Sequence, residues 1–210
     1  MSGWGEVPGE TPFDPSELKD REAIRNREQA NAAEIENIRK VVVKYFTRKP
    51  TRKKAPFDFT WMRRLHREMF CEVWTWAGQL RTAEVNLPVA PPQEIETRLG
   101  ELAKDLALGG ATPESVLSDA AHLHHRALWI HPFPNGNGRW SRMLANIWLK
   151  TRDHPLPEWP DEVTGSQSVI REEYLVAVRT ADHGDIESLL DLHRRFTPLP
   201  TPKKKRRPKQ

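Results

Sequence analysis

The sequence predicts a single, mainly α-helical domain with one short β element. Of its 210 residues, 37% are apolar and 8 are tryptophan, which is enough to build one buried core. The segments between Gly- and Pro-containing breaks repeat apolar residues at helical spacing. Only one stretch, residues 80–87, lacks this period and is bounded by prolines, which is typical of a short strand or hairpin.

The first helix is predicted over about residues 14–46. Asp14 can serve as its N-cap, and Pro15 suits the first helical position. The helix is expected to bury one apolar stripe, which consists of Ile35, Ile38, Val42 and Tyr45. Pro50 and the basic group from Arg48 to Lys54 close the segment.

The remaining helices follow in order along the chain. They are predicted over about residues 59–78, 92–108 and 112–130, from the turn at 134–138 through 149, and as one or two helices within 166–196. Thr112-Pro113-Glu114 is a helix-start signal, and Gly109-Gly110 is the break before it. The domain is therefore expected to cover residues 14–196.

Composition excludes several classes of protein. The single cysteine, Cys71, allows neither an internal disulfide nor a zinc site with several thiolates. No run approaches the ~18 uncharged apolar residues of a membrane-spanning helix, and the first residues lack the regions of a secretory signal. The spacing of His122, His124 and His125 does not place all three on one helix face, so no zinc site is predicted there. We expect a soluble cytoplasmic protein without a membrane partner.

The net charge of +4 lies in the C-terminal tail. Six cations fall between Lys203 and Lys209, and without them 27 basic residues face 29 acidic ones, a net charge of −2. Residues 197–210 are expected to be a disordered basic tail, and residues 1–13 a flexible N-terminus. The tail resembles a nuclear import signal, but such runs also bind nucleic acid or anionic surfaces or serve as solubilising ends. Nuclear import and secretion into a host therefore stay open beside the cytoplasm.

One segment carries chemistry: residues 131–142, His-Pro-Phe-Pro-Asn-Gly-Asn-Gly-Arg-Trp-Ser-Arg. Its Gly/Asn turn leaves backbone N–H groups exposed at the start of the next helix, a place that favours anions. Arg139 and Arg142 are three residues apart and project from one helix face, which suits a polyphosphate. His131, with an ordinary pKa near ~6.5, can take a proton from a nucleophile at neutral pH. The pattern indicates a phosphate-binding loop beside a general base.

This segment closely resembles the signature of the Fic/DOC (filamentation) family, His-x-Phe-x-(Asp/Glu)-Gly-Asn-Gly-Arg-x-x-Arg. Its Pro-Asn-Gly-Asn-Gly-Arg run looks most like the subgroup called mobile mystery protein B. The resemblance covers about residues 30–150 and implies a Fic-type helical bundle with a short β-hairpin flap. It also implies an adenylyltransferase that uses ATP and Mg²⁺ to move AMP to a hydroxyl side chain of a target protein.

The resemblance assigns roles to individual residues. His131 is the base that deprotonates the target hydroxyl, and Phe133 anchors the loop. The phosphate-binding residues are Gly136, Asn137, Gly138, Arg139 and Arg142. Asn135 departs from the pattern, because the family has Asp or Glu there to bind Mg²⁺. Asn lacks the negative charge that Mg²⁺ prefers, so weaker metal binding is expected.

Two further stretches resemble the family. Residues 76–82, Trp-Ala-Gly-Gln-Leu-Arg-Thr, look like the start of the flap, predicted over about 79–92. In relatives the flap docks a target segment by strand addition, a role that falls here on Arg81 and Thr82. Residues 32–37 resemble the inhibitory helix motif, so Glu36 is expected to reach Arg142 and block the seating of the γ-phosphate.

Other functions stay open from the residues alone. The same scaffold could carry phosphotransfer or the removal of AMP from a target. A catalytically weak or inactive module that binds nucleotide or a partner is the alternative from another class. The subgroup resemblance further implies a small DNA-binding or antitoxin-like partner, while the basic tail is the part suited to nucleic acid.

Overall fold

The computed structural model describes residues 14–108, 112–160 and 168–198. The predicted flexible N-terminus and most of the basic tail lie outside these ranges, so the predictions for them stay untested. Within the described residues the chain forms seven α-helices: α1 (Arg27–Phe46), α2 (Phe59–Phe70), α3 (Ile95–Leu108), α4 (Pro113–Ile130), α5 (Asn137–Thr151), α6 (Val169–Asp182) and α7 (Glu187–Phe196). None of these helices is both long enough and apolar enough to cross a bilayer. The mainly helical prediction is confirmed.

Helix α1 begins later than the sequence analysis predicts. Asp14 does cap the chain, but it starts only a 3-10 turn over Pro15–Glu17. The chain then extends, and Leu18 forms an isolated antiparallel bridge with Trp74. The helix itself starts after Asn26, whose side chain accepts a hydrogen bond from the backbone N–H of Gln29.

The buried face of α1 also differs from the predicted stripe. Ile35 is 67% exposed, and Val42 also faces solvent. The buried positions are Ala30, Glu34, Asn37, Val41 and Tyr45. Of the predicted stripe, Tyr45 is buried and Ile38 packs against the core while partly exposed. Because the buried face also contains two polar residues, apolar periodicity misplaced Ile35 and Val42.

The polar residues on this face have partners that make their burial tolerable. The Asn37 side chain donates to the carbonyl of Glu68 (2.9 Å) and accepts from the N–H of Glu72 (3.0 Å), next to the C-terminal end of α2. The contacts of Glu34 belong to the functional site and are given below.

Helix α5 is the centre of the main core. It packs on α4 over most of its length and also contacts α1 and α2. Trp140, Leu144 and Trp148 are buried, and the Trp140 indole N–H donates to the carbonyl of Met62 in α2 (3.1 Å). A smaller cluster joins α6 and α7 through Tyr174, Ala177, Leu189 and Leu192. These two helices pack on α4, beside the loop that joins α4 to α5.

The predicted β-hairpin flap is not formed in the described structure. Residues 79–91 are irregular, with tight turns in which the N–H of Leu87 bonds to the carbonyl of Val85 (2.8 Å). The N–H of Arg81 bonds instead to the carbonyl of Pro132, at 2.9 Å. Because the segment forms hydrogen bonds within itself and with the α4–α5 loop, no ladder between two strands develops. We call residues 79–91 the flap segment.

Candidate active site

The site is built around the loop that joins α4 to α5. His131 ends α4 in the left-handed conformation (φ 48°, ψ 55°), and Gly136 precedes α5 with φ 77°. A Cβ on Gly136 would lie 2.7 Å from the ring of Phe70, so only glycine fits this position. The turn brings the first residues of α5, with their unbonded backbone N–H groups, close to His131.

Asn137 holds this loop in place from its own side chain. The Asn137 amide nitrogen donates to the carbonyl of Phe133 (2.8 Å), and its oxygen accepts from the N–H of Phe133 (3.0 Å). Asn137 therefore uses its side chain to shape the loop. Phe133 is fully buried, as its predicted anchoring role requires.

His66 is a second support of the loop, and sequence reasoning missed it. Its ring stacks on Phe133 with 3.6 Å between ring centroids. Its Nδ1 accepts from the N–H of Gly78 (3.0 Å), and its Nε2 lies 3.0 Å from the carbonyl of Asn135. Since a carbonyl only accepts, Nε2 carries the proton. Burial lowers the pKa of His66 to about 3, so the ring is neutral. It joins α2 to the loop and to Gly78, the residue just before the flap segment.

His131 has the properties of a general base. Its side chain is 8% exposed, and its Nε2 has no hydrogen-bond partner among the described residues. Burial, together with the charge of Arg81, lowers the pKa of His131 to about 4, while a hydrogen bond to the Leu128 backbone opposes this shift. The imidazole is therefore neutral at physiological pH, and a hydroxyl group that approaches it can lose its proton to it.

Arg81 lies in a different environment from the one predicted for it. It is only 5% exposed, so it is not available to dock a target, and that prediction is wrong for this residue. Its guanidinium donates to the carbonyls of His131 (2.6 Å), Ala83 (3.0 Å) and Ala90. Thr82, its neighbour, is exposed on the flap segment.

Arg139 forms an ion pair with Glu34 of α1, which is the carboxylate that reaches the loop. The Glu34 side chain is 5% exposed and also accepts from the indole N–H of Trp74. Arg139 lies 4.9 Å from the centroid of the Phe70 ring. Glu36, the predicted inhibitory residue, instead faces solvent and pairs with Arg39 (2.8 Å). The predicted contact of Glu36 with Arg142 is therefore wrong, because the motif resemblance placed on the loop side a glutamate that lies on the exposed side of α1.

Arg142 is a buried cation held by neutral groups. It is 7% exposed and lies over the rings of Tyr174 (5.5 Å) and Trp159 (5.9 Å). It shares a hydrogen bond with the Tyr174 hydroxyl, and burial lowers its pKa. No carboxylate pairs with it in the part of the chain that the structure describes. Its positive charge is therefore available to an anion.

A chain of buried side chains fixes the Tyr174 hydroxyl. That oxygen lies 3.0 Å from Nε2 of His124, whose Nδ1 lies 3.0 Å from Nε2 of His193. A guanidinium can only donate, so the Tyr174 oxygen accepts from Arg142 and gives its own proton to His124. Burial lowers the pKa of His193 to about 3 and that of His124 well below its ordinary value, so both rings are neutral.

These groups surround a cavity of about 360 Å³. Four arginines line it, namely Arg139, Arg142, Arg171 and Arg179. The opposite wall contains Leu87, Pro88 and Val89 of the flap segment, and His131 and residues 135–138 lie between. Asp182 is the single carboxylate in the described lining, and it contacts His125 (2.8 Å). The cavity therefore suits a ligand that is both polyanionic and partly apolar.

The loop offers no good ligand set for Mg²⁺. Oδ1 of Asn135 accepts from the N–H of Gly136 at 2.6 Å, so its lone pairs are partly used. Among the described residues no group of three or more His, Cys, Asp or Glu side chains is arranged to hold a metal ion. Since Mg²⁺ prefers charged oxygen ligands, these residues do not fit a metal held by the protein.

Comparison with known proteins gives consistent results. Residues 56–149 match the model of the Fic/DOC family. A protein adenylyltransferase of Bartonella henselae is 28% identical over 171 residues, which are 70% of this chain and 29% of that protein. The protein adenylyltransferase fic-1 of Caenorhabditis briggsae is 30% identical over 114 residues, 52% of this chain and 21% of that protein. The chain thus spans less than a third of the length of these curated relatives.

Solved structures share the fold. The N-terminal Fic domain of a VirB-translocated Bep effector from Bartonella quintana has a TM-score of 0.66 at 20% identity, covering 92% of this chain and 91% of that one. The BepC protein of Bartonella tribocorum with bound AMPPNP has a TM-score of 0.65 at 19% identity, covering 93% and 96%. At this identity the similarity shows the fold alone.

Proposed function

Because this chain belongs to the Fic/DOC family through its domain at residues 56–149, we propose that it is a protein adenylyltransferase. It would move AMP from ATP to a hydroxyl side chain of a target protein. The observation that carries this proposal is the neutral His131, with its unpartnered Nε2, in the wall of a cavity lined by four arginines. Relatives named protein adenylyltransferases, and a relative of the same fold with bound AMPPNP, support it.

The chemistry follows from the geometry of the loop. Nε2 of His131 takes the proton of the target hydroxyl as its oxygen attacks the α-phosphate of ATP. The bond from the α-phosphorus to the bridging oxygen breaks, and pyrophosphate leaves with the electron pair. Backbone N–H groups at the start of α5, with Arg139 and Arg142, stabilise the negative charge that develops on the phosphate oxygens.

Charge neutralisation is assigned to the arginines of this chain. Arg139 and Arg142 line the cavity together with residues 135–138, and Arg171 and Arg179 of α6 extend the basic wall. A guanidinium binds phosphate oxygens in a bidentate manner, so these groups can hold a polyphosphate without a metal bound to the protein. Asn135 offers no negative charge to bind Mg²⁺, so the neutralisation of the phosphate charge falls on the arginines.

We further propose that α1 restrains the site through Glu34. The Glu34 carboxylate occupies the guanidinium of Arg139, so a phosphate must compete with it for the same donors. This contact takes over the inhibitory role that the sequence assigned to Glu36. The helix would keep basal transfer low until α1 shifts or a nucleotide outcompetes the carboxylate.

The first experiment separates binding from chemistry at His131. In His131→Ala the arginines and the turn remain, so affinity for a non-hydrolysable ATP analogue should stay within about threefold, while AMP transfer should fall about 10²- to 10⁴-fold. Calorimetry and α-labelled ATP measure the two quantities. His122→Ala is the control, because His122 is an exposed residue of the same helix. Unchanged transfer in His131→Ala would contradict the assignment.

The entry of the target and the identity of the partners are also proposals. Residues 87–89 of the flap segment line the cavity, and a target hydroxyl would enter beside them. Thr82, which is exposed on the same segment, stays a predicted docking residue. Membership of the mobile mystery protein B subgroup, an antitoxin-like partner and a cytoplasmic location each stay predictions from the sequence.

A further inference from the structure

The buried guanidinium of Arg81 joins three parts of the backbone. Its Nε donates to the carbonyl of His131 at 2.6 Å, and its two Nη atoms donate to Ala83 (3.0 Å) and Ala90. No carboxylate forms an ion pair with Arg81 within the described ranges. Moving a cation out of water without a carboxylate partner is costly. The burial of Arg81 therefore points to a role inside the protein, which its three carbonyl contacts identify.

The first of these carbonyls belongs to a strained position. His131 adopts the left-handed conformation at the end of α4, which is strained for a residue with a Cβ. Carbonyls at a helix C-terminus also lack partners within the helix. By accepting from Arg81, the His131 carbonyl gains a charged partner, and the strained conformation that orients the imidazole is held in place.

The other two carbonyls close the flap segment into a loop. Ala83 and Ala90 lie at the two ends of the stretch that contributes residues 87–89 to the cavity wall. The N–H of Ala90 also bonds to the carbonyl of Trp129 at 3.1 Å, close to the end of α4. One side chain therefore connects the wall of the cavity to the backbone of the base.

We propose that Arg81 is a positioning residue that fixes His131 and the flap segment as one unit, so that a target seated on the segment meets a correctly oriented base. The expected effect on kcat rests on the proposed adenylyl transfer. The contacts of Arg81 with His131 and the flap segment do not depend on it. Arg81 is not among the residues that line the cavity, so it acts through the backbone of His131 and through its charge.

The charge of Arg81 can be followed separately from its hydrogen bonds, through the pKa of His131. It lowers the pKa of His131 after the larger effect of burial. Replacing Arg81 with an uncharged side chain should therefore raise the pKa of His131 from about 4 towards its ordinary value. Replacing it with Lys keeps the charge but loses the fork that reaches three carbonyls.

The test compares Arg81→Met and Arg81→Lys with the wild type in the full chain. NMR titration gives the pKa of His131, and α-labelled ATP gives kcat and the KM for ATP. We expect Arg81→Met to raise the pKa and to lower kcat about 10²-fold, with the KM for ATP nearly unchanged. Arg81→Lys should lower kcat while it preserves the pKa of His131. If Arg81→Met does not fold, Arg81→Lys takes its place in the kinetic test.

Arg63→Met is the matched control, because Arg63 also donates to a backbone carbonyl, that of Gly78 (3.3 Å), without contacting His131. It should change neither the pKa nor kcat. An unchanged His131 pKa in Arg81→Met, or kcat within twofold of wild type in the folded Arg81 variants, would overturn the inference. If the wild type transfers no AMP, the proposed function fails, and the titration still decides the role of Arg81.

Discussion

Replacing Glu34 with Gln should weaken the fold and strengthen nucleotide binding at the same time. The substitution keeps the size of the side chain and an oxygen that can accept from the indole of Trp74. It removes the charge that pairs with Arg139, whose side chain is 28% exposed. The perturbation therefore isolates one electrostatic contact between α1 and the phosphate-binding loop.

The size of the effect follows from the burial of the pair. A hydrogen bond to a charged group contributes about 1.5–3 kcal/mol, and the 5% exposure of Glu34 places the pair within that range. The free energy of unfolding should fall by about that amount. Because a phosphate no longer has to displace the carboxylate, the Kd for an ATP analogue should fall about tenfold or more.

Calorimetric titration with the analogue and urea unfolding measure the two opposite changes. Glu36→Gln is the control, since Glu36 lies on the same helix in an exposed pair with Arg39, a kind of pair that contributes little. It should leave both quantities unchanged. If Glu34→Gln folds but binds nucleotide no more tightly than wild type, the restraint by α1 is refuted. The same holds if Glu36→Gln gives an equal gain.

Three further predictions concern the loop and its supports. Asn135→Asp supplies the missing charge, so the increase in transfer rate on adding Mg²⁺ should be about tenfold larger than in wild type, measured against EDTA. Tyr174→Phe removes the neutral acceptor of Arg142 and should weaken binding of the ATP analogue about tenfold, with equal affinity contradicting the orienting role. His66 has a folded pKa of about 3 against about 6.5 in the unfolded chain, so its contribution to stability is lost as pH falls below about 6, by about 1.4 kcal/mol per pH unit. Urea unfolding at two pH values should show a shallower loss in His66→Gln than in wild type.

The sequence predicted the loop well because local chemistry dictates it. A Gly/Asn turn between two apolar helices can adopt few conformations, so the placement of His131, Gly136 and Arg139 together followed from the residues alone. The helical class followed from periodicity, and α3, α4 and α5 lie close to their predicted ranges, whereas α2 ends at Phe70 and not near residue 78. The buried anchor Phe133 was also expected from the motif.

The supports of the loop could not be read from the sequence, because they depend on contacts between distant residues. His66 and Arg81 look like an ordinary helix histidine and a flap arginine until the fold brings them to the loop. Helix α1 misled the analysis because its buried face contains Glu34 and Asn37, whose burial depends on partners in other parts of the chain. Apolar periodicity carries no signal for such a face.

The central claim is tested most directly by comparing two isotopic labels. Wild type and Glu34→Gln are incubated with a lysate and ATP labelled at the α- or the γ-phosphate, with His131→Ala as the inactive reference. We expect protein labelling from α-labelled ATP only, stronger in Glu34→Gln and absent in His131→Ala. Labelling from the γ-phosphate would identify phosphotransfer instead, and intact nucleotide binding without any labelling would identify a binding module. Either result would contradict adenylyl transfer by this chain.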